Sequence, residues 1–117
     1  MENRKTIQDI QLDLIERASF NLFDGEQVRR DLMEHKDLWK GVIIGRFENS
    51  LLIPLRDIAD DYWNVDTLMI LPHAGKENEL IELAEDWGAD DVDLLTGNNI
   101  EMMYGGMENT VLRVWWD

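Results

Sequence analysis

Apolar residues recur at spacings of three and four through the first third of the chain, then give way to short β-branched and alternating runs. Ile7, Ile10, Leu14 and Ala18, widened by Ile15, make one stripe. Thr6, with Asp9 three positions on, supplies a capping pair, so the pattern predicts an amphipathic helix over residues 6–20. Past Phe20 and Phe23, Asp24-Gly25-Glu26-Gln27 reads as a second helix start. Asp24 caps, Glu26 and Gln27 sit in the electropositive first turn, and Gln27 is placed to close a capping box. Val28, Leu32 and His35 or Lys36 mark the face, and the helix is expected to run to about residue 36.

Residues 38–50 carry two conflicting signals. Leu38, Trp39, Val42, Ile43, Phe47 and Leu51 hold a helical period for three turns. Against it stand the β-branched run Val42-Ile43-Ile44 and the flanking Gly41 and Gly45. An interior glycine costs a helix roughly 1 kcal/mol relative to alanine. The period favours a third helix. Asn49-Ser50 breaks it, Leu51 to Asp57 then reads as a strand placed at an edge by Pro54, and Ala59 to Asn64 as a polar turn.

The remainder alternates. Val65 to Leu71, stopped by Pro72, is a strand. Gly75 opens the clearest helix, with Leu80, Leu83, Ala84 and Trp87 on one face and Gly88 at its stop. Val92 to Leu95 is a short strand, and Thr96-Gly97-Asn98-Asn99 a turn into a short helix through Ile100, Met103 and Tyr104, ended by Gly105-Gly106. In the last strand, Thr110 to Trp116, Val111, Arg113 and Trp115 face one way and Leu112, Val114 and Trp116 the other. Both faces are largely apolar, which places it inside the sheet. The expectation is one α+β domain over residues 1–117: N-terminal helices, then a four-stranded mixed sheet with one or two packed helices in β-β-α-β-α-β order, some strands pairing in parallel.

Composition supports a folded chain: 44% of the 117 residues are apolar, five of them Trp. The absence of cysteine removes disulfides, thiolate metal sites and redox motifs. No apolar run approaches signal-peptide or membrane-span length, so a soluble cytoplasmic protein is expected.

Charge changes the picture most. Residues 1–47 hold nine Asp/Glu and eight Lys/Arg, a net of −1, whereas residues 48–117 hold sixteen Asp/Glu and only Arg56, Lys76 and Arg113, a net of −13. Phosphate backbones and anionic lipid surfaces need Lys and Arg for first contact, so direct nucleic-acid and membrane binding are not expected. A basic protein would instead be steered in.

Three groups in the acidic part stand out. Glu79, Glu82, Glu85 and Asp86 lie at helical spacings of three and four, each like-charge neighbour costing a few tenths of a kcal/mol. Asp57, Asp60 and Asp61 cluster in one loop region, and Asp90, Asp91 and Asp93 in another. Trp63, beside Asp61 and Tyr62, is a candidate aromatic anchor, with burial against the sheet edge the plainer reading. The expectation is a non-catalytic module that docks a basic partner, in one form an inhibitor imitating the phosphate array of a nucleic acid. The alternative is a small enzyme or divalent-metal protein using the two aspartate clusters.

Other chemistry is thin. The calcium-loop pattern begun by Asp91 and Asp93 fails at Leu95, Thr96 and Met102. His73-Ala74-Gly75-Lys76 lacks the Walker spacing, and Glu77 and Glu79 behind it would repel an anion. Ser19 and Ser50 lack a nucleophile elbow, and His35 and His73 have no metal-ligand spacing. No cofactor is implied.

Overall fold

The computed structural model describes residues 4–18, 23–46, 55–96 and 110–116. Helix α1 is Ile7–Arg17 and α2 is Gly25–Glu34. A 3-10 turn, Lys36–Leu38, leads into strand β1, Trp39–Gly45. Then come α3 (Leu55–Ala59), β2 (Thr67–Pro72), α4 (Glu77–Glu85), β3 (Asp91–Leu95) and β4 (Val111–Trp115).

The α1 capping box forms as expected. Asp9 N–H donates to Thr6 Oγ1 at 3.0 Å, and Thr6 N–H donates to Asp9 Oδ2 at 3.1 Å. The backbone bond from Thr6, then its hydroxyl, holds the Asp9 carboxyl below its ordinary value, with Lys36 and Lys5 adding weakly. A carboxylate whose pKa is lower when folded stabilises fully above its unfolded pKa and stops doing so as pH falls through the folded one. In Thr6→Ala, the NMR titration of Asp9 should move up towards 3.8. An unchanged titration would mean that the backbone N–H of residue 6, which alanine keeps, sets it without the hydroxyl. In α2, Gln27 N–H donates to Asp24 Oδ1 at 3.2 Å. The Gln27 side chain does not close a box; it reaches the Asp86 carbonyl in a long contact of 3.5 Å.

The sheet runs β1-β2-β4-β3, and every neighbouring pair is antiparallel. The expected mixed sheet is therefore corrected. β2 and β3, joined through α4, do point the same way, but β4 enters between them and pairs antiparallel with both. As expected, the apolar-on-both-faces strand is internal. The expected helix over residues 38–50 is also corrected: residues 39–45 form β1. Val42 and Ile44 point into the core and Ile43 stays partly exposed, so the strand period of two decides the fold. The expected strand over 51–57 is corrected where it is described, since 55–57 lie in α3; residues 51–54 and the short helix through Ile100, Met103 and Tyr104 lie outside the described residues. The element order after α2 is thus β-α-β-α-β-β. Gly75 does not open α4 but takes φ +81 in the turn before it, closed by Lys76 N–H to His73 O at 3.0 Å.

One face of the sheet carries the main core. Leu12 and Ile15 of α1, Val28 and Leu32 of α2, and Leu80 and Ala84 of α4 join Leu68, Ile70, Leu112 and Val114 in one buried cluster. The opposite face holds a smaller cluster of Met69 and Val111, backed by Leu71 and Leu95.

β1 is an edge strand, and α1 seals it. Val42 N–H donates to Gln8 Oε1 at 2.8 Å, and Gln8 Nε2 donates to the Val42 carbonyl at 2.9 Å. Ile44 N–H donates to Gln11 Oε1 at 3.0 Å. The Gln8 amide thus pairs with Val42 as a strand residue would, and the edge is closed to other chains. Gln8→Ala strands a donor and an acceptor, so a loss of about 1–3 kcal/mol is expected in urea denaturation. Concentration-dependent association should appear with it in sedimentation.

Candidate functional site

The fold distributes the acidic residues over three places. On α4, apolar Leu80, Ala84 and the following Trp87 turn inwards, which leaves Glu79, Glu82, Glu85 and Asp86 on the exposed side. Glu79, Glu82 and Asp86 line one wall of a groove of about 280 Å³, with Leu83 beside them and His35 and Leu38 opposite. Glu85 is exposed but does not line it. Trp87 Nε1 donates to Asp31 Oδ2 at 2.9 Å and so ties the end of α4 to α2.

The electrostatics of this groove run against helix stability. Acids favour the first turn of a helix, where Glu77 and Glu79 sit, and are unfavourable in the last. Glu82 and Glu85 fall near the C-terminal end of α4, Asp86 is its C-cap, and the last turn carries no basic residue. His35, across the groove, is the C-cap of α2, whose last turn also lacks a base. The negative ends of two helices and three carboxylates therefore face one cleft. Glu79 pairs with Lys76 at 3.6 Å, and both side chains are well exposed. Among the described residues Glu82, Glu85 and Asp86 carry no ion pair.

The second place is β3. Alternation sends Val92 to the helix-covered core and Leu95 to the smaller cluster behind the sheet. Asp91 and Asp93, on the same side as Leu95, thus lie on the face away from α4. Asp93 Oδ2 accepts from Arg113 Nη1 at 3.2 Å. The exposed Asp90 precedes the strand and donates its N–H to the Trp115 carbonyl at 2.9 Å.

The third place is α3, and its acids serve local structure. Asp57 Oδ2 accepts from Asn64 Nδ2 at 3.1 Å, and Asn64 in turn accepts from Arg46. Asp61 takes φ +63 where α3 ends, with Tyr62 N–H returning to the Asp57 carbonyl at 2.8 Å. Its carboxylate pairs with Arg17 of α1. Asp60 is exposed. Trp63 packs partly buried on the main core, with Nε1 buried and, among the described residues, without an acceptor.

α3 precedes β2 at the end of the sheet where Gly45, Thr67, Trp115 and Asp91 align. Asp91 is there too, but three strand spacings from β1, about 14 Å. Sequence spacing named the acids but missed the groove partners His35 and Leu38, which come from a distant stretch of chain. Among the described residues no group of three or more His, Asp or Glu gathers to hold a metal ion. No helix among them is long and apolar enough to cross a membrane. A scan against protein-family models and searches of curated proteins and of solved structures found no match to this chain.

Proposed function

We propose that this protein is a non-catalytic module that docks a basic protein partner, and that the groove between α4 and the end of α2 receives a lysine or arginine side chain. The observation that carries the reading is the placing of Glu82 and Asp86 at the end of α4, where the helix dipole opposes them and no base in the last turn offsets them. Local rules broken without local compensation concentrate at functional sites. The walls fit the chemistry: the carboxylates take the cationic head, and Leu38 and Leu83 take the aliphatic stem. An inhibitor that occupies a basic cleft is one form of such a module.

The test neutralises charge at constant shape: Glu79→Gln, Glu82→Gln and Asp86→Asn together, with polylysine as the probe. Binding to the parent protein should weaken steeply as salt rises. In the variant it should fall at least about tenfold at low salt, while thermal stability holds or increases as the dipole conflict is relieved. Equal binding by the two proteins would overturn the groove as the docking site.

A further inference from the structure

The two edges of the sheet are finished differently. The β1 edge is closed by Gln8 and Gln11. Among the described residues the β3 edge has no such cover. Trp116 N–H donates to the Asp66 carbonyl on the β2 side, so by antiparallel alternation Leu112 and Val114 bond β2, and Arg113 and Trp115 bond β3. Asp91 and Asp93 then turn their main-chain groups inwards to β4, and Val92 and Leu94 turn theirs outwards. Among the described residues nothing takes those outward groups, and Leu94 is 40% exposed.

We infer that the β3 edge accepts an added strand from a partner, and that the strand alternates basic and apolar residues. The added backbone would pair with the N–H and C=O of Val92 and Leu94, as in other strand-addition complexes. Its basic side chains would lie beside Asp91 and Asp93 on one face, and its apolar ones beside Leu94 on the other. A second copy of this chain is disfavoured as occupant, because pairing β3 with itself brings aspartates towards aspartates. This surface lies apart from the groove, so either can fail alone.

The probe is a short peptide alternating lysine and valine, compared with the same peptide N-methylated on alternate amides in each register. The parent protein should bind the plain peptide at low salt. One methylated register should bind about tenfold more weakly, having lost the edge bonds. Leu94→Pro removes an outward N–H while sparing the ladder to β4, and should reduce binding of the plain peptide by a similar factor. The Glu79→Gln, Glu82→Gln, Asp86→Asn protein should keep its preference for the plain peptide. Equal binding of all three peptides would overturn strand addition and leave the groove untouched. Failure of the parent protein to bind the plain peptide would overturn it too, and the polylysine result would then judge the groove alone.

Discussion

Replacing Gly25 with alanine should destabilise the fold by about 3 kcal/mol, at the upper end of ordinary overpacking changes. A Cβ at this position would stand 2.2 Å from the Ile15 carbonyl oxygen, 2.9 Å from that of Glu16 and 3.1 Å from that of Ala18. All three are backbone atoms at the end of α1, so none can swing aside as a side-chain tip does. The start of α2 would have to lift from α1, drawing Val28 and Leu32 away from Leu12 and Ile15 in the main cluster. It would also part the electropositive start of α2 from the electronegative end of α1. Gly88→Ala is the calibrating variant. Gly88 has φ +72 with open space around it, so only the left-handed backbone is penalised, by about 1 kcal/mol. Urea denaturation of both separates the causes: a Gly25→Ala loss no larger than the Gly88→Ala loss would mean that the helices slide apart freely.

Gly25 also marks a limit of the sequence. Asp24-Gly25-Glu26-Gln27 reads as a capping segment, which it is, but the closeness of α1 is written nowhere in those residues. The same holds at β1. Its helical period arises in part because the register shifts between Trp39 and Gly41, so that Trp39 and Val42, three apart, enter the same buried cluster. The residues that make an edge strand safe there, Gln8 and Gln11, lie in another element and look like ordinary polar positions of α1. Local chemistry was more legible: the Thr6–Asp9 box, Gly88 after α4 and the internal last strand all follow from adjacent residues. A strand, a helix and a strand suggested parallel neighbours, and β2 and β3 do run parallel. What residue order does not reveal is that β4 returns between them.

The acidic groups divide along the same line. Charge and helical spacing named Glu79, Glu82 and Asp86, and the fold gathers them. Nearness in sequence also named Asp91 and Asp93, but strand alternation turns those two to the face away from α4. Asp57 and Asp61 have the composition of a site and the work of a helix end and its loop.

Trp116→Ala should be as damaging as Gly25→Ala or more so, at about 3–5 kcal/mol. The side chain is 1% exposed, and its ring meets Phe23 edge-on at 4.7 Å between centroids. Its Nε1 donates to the Trp87 carbonyl at 3.2 Å, and its N–H to the Asp66 carbonyl at 3.0 Å. One residue thus joins β4, the approach to β2, the segment before α2 and the chain just after α4. Truncation removes a large buried surface and leaves the Trp87 carbonyl without its indole donor. Trp116→Phe keeps most of the ring and loses only the donor, so its cost should be nearer 1–2 kcal/mol. The difference has a functional reading: Trp87 also reaches Asp31 of α2, so its position sets how α4 stands against the end of α2. If that contact fixes the groove, Trp116→Phe should weaken polylysine binding while the protein remains folded at the assay temperature. A Phe variant that binds as the parent does would mean that the Trp116 indole does not set the groove, and Asp31→Ala, which removes the acceptor of Trp87 Nε1, would then be the variant that opens it.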